Sequence, residues 1–262
     1  MKREPVYDAL SVLVQTVIAA QGLRIAITGQ RNMPRSGGAV LAVNHTSYVD
    51  FFEAGLVGRK SGRNVRYMMK AELERNPVVG FLMRHCKAIG VDREAGAESY
   101  GKAVNSLRDG EIVVVYPEAT ISRSFDLKDF KTGAARMALE ADVPIVPMTI
   151  WGAHRVWTKG FPRQLGRHKF PVNIVIGEPI PPHGTVDELT VELRAAMSVL
   201  LDKAQTGYPM EPGAPWVPAR FGGSAPDPAT AKELEIAEFA ARRAKAAAAL
   251  AAPRKPRRRT LF

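Results

Sequence analysis

Two short runs, Ile112–Tyr116 and Ile145–Ile150, are apolar almost without interruption. At five and six residues they are too short for core helices. With no polar face, they are the kind of strand that is covered on both sides. Four further β-like runs, Arg24–Thr28, Ala39–Val43, Val65–Met69 and Val172–Ile176, join them, and Pro144 is expected to open the second apolar strand. Between these runs, Asp50–Val57, Glu72–Arg84, Ala95–Arg108, Asp129–Glu140 and Val186–Lys203 carry helical spacing. Strands alternating with helices predict an α/β fold: a single domain with a mostly parallel central sheet flanked by helices.

The chain divides into three parts by composition. Residues 1–30 open with a basic start interrupted by Glu4 and Asp8, followed by an apolar run from Ala9 to Ala20. That run is short of the roughly 20 apolar residues a membrane span needs, and Gln15, Gln21 and Arg24 break it. Leu10, Leu13, Val14, Val17 and Ile18 share helical spacing, which predicts an N-terminal amphipathic helix on a membrane or on the protein body. Residues 31–204 hold the α/β pattern. Residues 205–262 begin rich in Pro and Gly, continue as an Ala-rich helix from about Ala229 to Ala251, and end in PRKPRRRTLF.

Charge is uneven along the 262 residues. The net charge is +11, and the segment from Ala241 onward holds eight Lys/Arg and no acidic residue, so subtracting it leaves +3 for the rest. A basic C-terminal tail on a mildly basic body suits an anionic surface. The body lacks interleaved aromatic and basic residues of the kind that stack bases, which argues against nucleic acid as the partner. The single cysteine, Cys86, excludes an internal disulfide framework and fits a reduced compartment; it is expected to be a small core residue. No histidine has metal-ligand spacing with a partner, so no metal is expected.

The chemistry concentrates in AVNHTSYVDFF, residues 42–52, where an apolar run stops at Asn44 and His45 and Asp50 follows five positions on. None of the other four histidines has an aspartate at that spacing. Histidine takes up a proton near neutral pH, and a neighbouring carboxylate fixes its tautomer and stabilises the imidazolium. The end of a buried strand is a rigid platform for such a base. If the following helix starts near Asp50, its first turn faces the histidine.

Three further blocks follow in order: Ile89-Gly90-Val91-Asp92-Arg93, Tyr116-Pro117-Glu118-Ala119-Thr120, and Val143-Pro144-Ile145-Val146-Pro147. Together with NHTSYVD they resemble the four blocks of the glycerolipid acyltransferase family, which includes the 1-acyl-glycerol-3-phosphate acyltransferases. The resemblance runs from Leu41 to Trp151. It implies that His45 is the general base on an acceptor hydroxyl and that Asp50 orients it. It also implies that Arg93 and Lys70 hold the acceptor phosphate, that Glu118 and the backbone at Ala119 and Thr120 shape the acceptor pocket, and that Val143, Pro144, Ile145, Val146 and Pro147 line the acyl-thioester site.

The sequence departs from the family at two positions. Ala119 stands where the family has glycine, a mild change if the backbone there is not left-handed. Ile121 stands where the family has an arginine. Arg123, two residues on, serves the same phosphate if the loop is extended. The implied reaction moves a fatty acyl group from an acyl-CoA or acyl carrier protein thioester to lysophosphatidic acid at the cytoplasmic face of a membrane, where the enzyme is peripheral and needs no cofactor. Glycerol 3-phosphate, another lysophospholipid or a glycolipid are alternative acceptors. A binding role for the tail on an anionic surface or nucleic acid is the alternative outside catalysis.

Overall fold

A computed structural model describes residues 3–91 and 96–251. Seven strands form one sheet: β1 (Arg24–Thr28), β2 (Ala39–Val43), β3 (Val65–Lys70), β4 (Ile89–Val91), β5 (Ile112–Val115), β6 (Ile145–Trp151) and β7 (Pro171–Ile176), in the spatial order β1-β7-β6-β2-β5-β3-β4. Every neighbouring pair is parallel except β6–β7. The α-helices among the described residues are α1 (Pro5–Gln21), α2 (Asp50–Lys60), α3 (Pro77–His85), α4 (Gly96–Arg108), α5 (Gly133–Ala141), α6 (Val186–Gln205) and α7 (Pro228–Ala251).

The two apolar strands lie where their composition demands. All seven residues of β6 and Ile112, Val113 and Val114 of β5 are buried, as are all five of β2, the strand between them. Alternate residues of β2 feed two cores: Ala39, Leu41 and Val43 pack with Ala54 and Val57 of α2 on one face. Val40 and Ala42 pack against α4, α5 and α6 on the other. At about 1.5–3 kcal/mol for each fully buried large aliphatic side chain, this double-sided burial is the principal stabilisation of the central strands.

Two expected helices differ in extent. The segment Glu72–Arg84 splits at Pro77, which has no N–H to continue a helix and stands instead at the first position of α3. A 3-10 turn covers Ala71–Arg75, and the Asn76 side chain caps α3 by accepting from Val78 N and Val79 N at 3.0 and 3.1 Å. The helix expected from Asp129 begins only at Gly133, because its lead-in is pinned to the loop after β5: Lys131 N donates to Pro117 O at 2.8 Å, and Lys128 N to Glu118 Oε2 at 3.2 Å. The three-residue edge strand β4 had no strand signal of its own. The division at residue 30 also falls inside the sheet assembly, since β1 pairs with β7 along its whole length.

α2 follows β2 and α5 follows β5, and these helices cover opposite faces of the sheet. The adjacent carboxyl ends of β2 and β5 therefore form a topological switch point, where open α/β sheets leave a crevice for ligands.

Candidate active site

β2 delivers Asn44 and His45 to that crevice. Asn44 ends the strand by imitating it: its side-chain Oδ1 accepts from Ile150 N at 2.7 Å, and Nδ2 donates to Ile150 O at 3.1 Å. The His45 peptide is then gripped on both sides by the loop after β5. Its N–H donates to Glu118 Oε1 at 2.8 Å, and its carbonyl accepts from Ser122 N at 2.8 Å.

Asp50 opens α2 and turns its carboxylate back over the intervening loop. Oδ2 accepts from Thr46 N at 2.9 Å and Ser47 N at 2.8 Å, and lies 3.0 Å from His45 Nδ1. Asp50 is fully buried. Burial pushes its carboxyl up, opposed by His45 and the two backbone N–H groups. With the carboxylate as acceptor, the imidazole carries its proton on Nδ1 and leaves the Nε2 lone pair free. The Tyr116 ring stacks on the imidazole, centroids 4.3 Å apart and planes 27° apart, and fixes its tilt.

Glu118 is buried, and burial pushes its carboxyl up to about 8 against the pull of the His45 and Lys128 N–H groups. It braces two loops and does not face the cavity. One residue later the backbone at Ala119 is left-handed, φ 61°. The alanine therefore occupies a conformation that its family glycine would enter freely, and the change is not mild.

His45 and Tyr116 line one end of an apolar cavity of about 450 Å³. Tyr7, Leu10 and Val14 of α1, Phe52 and Gly55 of α2, and Met83 of α3 form much of the wall. This is within the size range of small-molecule sites. Of the apolar positions on α1, Leu10, Val14 and Ile18 are half-buried, whereas Val12, Leu13 and Val17 are exposed on the outer side. The expected single apolar face is thus split between the body and solvent. Cys86, half-buried, also lines the cavity, and burial pushes its thiol up.

The structure brings His45, Asp50, Glu118, Ala119, Thr120 and Arg123 together. Ile121 is buried, whereas Arg123, at a bend two residues further on, is half-buried, so the loop is not the extended run expected. Lys70 is exposed at the end of β3, two strands from β2 and so roughly 10 Å away across the sheet. Arg93 lies outside the described residues. Val143 to Pro147 do not line the cavity beside His45. Val146 and Pro147 pair with Leu41 and Ala42, well before His45, while Val143 and Ile145 pack in the core with Leu189 and Leu193 of α6. Their unbroken apolar character reflects a strand covered on both faces, and the apolar space beside His45 is built by α1, α2, α3 and β3 instead.

Sequence reasoning missed Tyr116 as a stacking partner, although it stands at the head of its block. It also missed Lys128 and Lys159, which no local pattern marks. Among the described residues, no group of three or more His, Cys, Asp or Glu side chains is placed to hold a metal ion.

A histidine bonded to a buried carboxylate at the edge of an apolar cavity, with cationic side chains on the neighbouring loop, is an arrangement of a class able to support general-base chemistry on an amphiphile. Comparison with known proteins narrows that class. Residues 24–151 match the profile described as Acyltransferase. A 1-acyl-sn-glycerol-3-phosphate acyltransferase of Chlamydomonas reinhardtii is 28% identical over 192 residues, covering 72% of this chain and 56% of the algal protein. One of Bacillus subtilis is 27% identical over 201 residues, covering 75% of this chain and 94% of the bacterial protein. The crystal structure of the 1-acyl-sn-glycerophosphate acyltransferase PlsC from Thermotoga maritima shares the fold, with a TM-score of 0.63 at 19% identity over 80% of this chain and 86% of that one. Residues 24–151 thus carry an acyltransferase domain, and the chain is similar over most of its length to 1-acyl-sn-glycerol-3-phosphate acyltransferases. It spans a little over half the length of the algal relative and nearly all of the Bacillus one.

Proposed function

We propose that the protein transfers a fatty acyl group from an acyl thioester to the free hydroxyl of lysophosphatidic acid, giving phosphatidic acid. The observation that carries this reading is the His45–Asp50 pair, 3.0 Å apart, at the mouth of the apolar cavity. His45 Nε2 takes the proton of the acceptor hydroxyl as its oxygen attacks the thioester carbonyl, and Asp50 stabilises the imidazolium. The tetrahedral intermediate collapses by breaking the C–S bond, and the imidazolium returns its proton to the departing thiolate. No covalent acyl-enzyme is required, so Cys86 has no chemical part. A fatty chain lies in the cavity, whose walls are almost wholly apolar, and the acceptor phosphate lies on the polar side near Arg123.

Coenzyme A and acyl carrier protein thioesters both satisfy this chemistry. The work is done at a membrane surface on the cytoplasmic side, because acceptor and product are lipids. No helix among the described residues is long and apolar enough to cross a membrane. The test is acyl transfer from labelled palmitoyl-coenzyme A, with lysophosphatidic acid and glycerol 3-phosphate in parallel, for wild type and His45→Ala. Labelled phosphatidic acid that drops at least a thousandfold in the variant supports the reading. Equal rates in the two proteins would remove His45 as the base, and product on glycerol 3-phosphate alone would replace the acceptor.

A further inference from the structure

The loop after β5 does more than brace His45. Beside it, Arg123, Lys128 and Lys159 converge with the Thr120 hydroxyl into one cationic cluster, and the cluster is filled from within the chain. Glu235 Oε2 accepts from Lys128 Nζ at 2.6 Å, and the Thr120 hydroxyl donates to Glu235 Oε1. Lys128 Nζ also donates to Thr120 Oγ1. Glu238 Oε2 accepts from Arg123 at 3.0 Å and from Lys159 Nζ at 3.3 Å, while its Oε1 accepts from Arg242 of the same helix. Both carboxylates belong to α7.

Two features show that the cluster suits a richer anion than it holds. Three cations from the body face two carboxylates. Arg123 Nε is shut off from solvent with no acceptor, so the guanidinium presents an unmet donor that a tetrahedral oxyanion satisfies and two monodentate carboxylates do not. Gly160 keeps the other side of the guanidinium clear, since a Cβ there would stand 3.1 Å from Arg123 Nη1.

α7 is also held lightly. From Pro228 to Lys245 only Ala231, Glu235 and Glu238 escape full exposure, an i, i+4, i+7 stripe whose polar members are the two carboxylates. Among the described residues, α7 has no extensive contact with another helix or strand. Leu234, Ile236 and Phe239 stay exposed. Partly exposed ion pairs contribute about 0–1 kcal/mol each, so a helix docked mainly through them can be displaced.

We propose that α7 is an internal occupant of the acceptor's phosphate site: Glu235 and Glu238 stand where the oxygens of a phosphate monoester bind, and helix and substrate occupy the cluster in turn. The inference rests on the acyl-transfer reading for the identity of the phosphate carrier, but not for the existence of the anion site. Displacing a resident helix reduces the apparent affinity for phosphate by the fraction of molecules with α7 docked. Glu235 and Glu238 thereby set the acceptor concentration at which the enzyme works.

The experiment compares the full chain with Glu235→Gln/Glu238→Gln, alone and combined with Arg123→Ala. Calorimetric titration with inorganic phosphate should show binding at least tenfold tighter in the double variant, lost again when Arg123 is removed. With palmitoyl-coenzyme A as donor, KM for lysophosphatidic acid should fall at least tenfold with kcat unchanged, while monoacylglycerol, which lacks the phosphate, should show no change in KM. Unchanged or weaker phosphate affinity in the double variant overturns the proposal, whatever the enzyme's activity. Tighter phosphate binding with an unaltered lysophosphatidate KM also overturns it, because the cluster would then serve another anion. Tighter phosphate binding with no acyl transfer in any variant would keep α7 as the occupant of an anion site and reject the reaction instead.

Discussion

At the scale of single residues, the loop after β5 is under local strain beside the residues that matter most. Ala119 has φ 61°, in a tight turn where its N–H donates to Tyr116 O at 3.0 Å and Thr120 N donates to Glu118 O at 2.8 Å. A left-handed conformation costs a non-glycine residue about 1–2 kcal/mol, whereas glycine adopts it freely at an entropic cost of roughly 0.5–1 kcal/mol. Ala119→Gly is therefore expected to raise stability by about 0.5–1 kcal/mol with activity retained, read as a rise in Tm of a few degrees at most. A fall in Tm would mean that the methyl group packs usefully. The sequence supplied the residues here but not their conformation. His45 and Asp50 were legible because their spacing across a strand end is a chemical statement; the path of the loop to Arg123 was not, since the chain bends where an extended run was expected. The left-handed turn at Ala119 was not legible, since an alanine gives no local sign of positive φ.

At the scale of elements, α1 shows how a segment of ambiguous sequence is settled by a few polar contacts. Glu4 grips Arg66 through two bonds, Oε1 to Nη2 at 2.6 Å and Oε2 to Nη1 at 2.7 Å, with Lys87 Nζ 2.8 Å away. Val65 N donates to the Tyr7 hydroxyl at 3.2 Å. These contacts seat α1 as a wall of the cavity. Burial alone would raise the Glu4 carboxyl, but the Arg66 and Lys87 cations override it and hold it at about 2. A carboxyl lowered on folding contributes stability above its unfolded value near 4.5 that is lost as pH falls toward 2. Wild-type stability should fall over that window more steeply than that of Glu4→Ala, whose own cost at pH 7 is about 3 kcal/mol even with Glu111 left to Arg66. Parallel pH curves for the two proteins would show that the pair is not a stabilising contact. Element extents were legible wherever apolar period ruled, as in β1 and β2, and failed where one residue or a tertiary contact overrode it: Pro77 in the first helix after β3, and the pinned lead-in to α5. Val143 to Pro147, which the resemblance implies for the acyl-thioester site, carry no local sign of such a role in the fold. Unbroken apolar sequence marks a strand buried on both faces equally well whether or not a ligand lies nearby.

At the scale of the whole molecule, apolar and electrostatic signals act together. Val12, Leu13 and Val17 are exposed on the outer side of α1, and Val78 and Phe81 are exposed on α3, which packs against α1 at the same cavity. The proposed acceptor and product are lipids, and this rim surrounds the space in which their chains would lie. The chain adds a net charge of +11, eight of whose cations fall between residues 242 and 259. Neither signal alone anchors a protein firmly, but an apolar face with a basic patch does. Leu13→Asp/Val17→Asp removes two half-exposed hydrophobic side chains and adds two anions at the rim. At about 1–1.5 kcal/mol for each, the pair should weaken binding to anionic vesicles by at least tenfold, with Tm unchanged within about 2 °C because neither side chain is buried. Removing residues 241–262 should act differently: it flattens the salt dependence of vesicle binding, since the lost interactions are screened beyond about 8–10 Å at moderate ionic strength. Sedimentation with vesicles at low and high salt separates the two contributions. If the aspartate pair binds as tightly as wild type at high salt, where charge is screened, the outer face of α1 is not the apolar contact. The membrane-facing side would then have to be sought on α7, whose Leu234, Ile236 and Phe239 are also exposed.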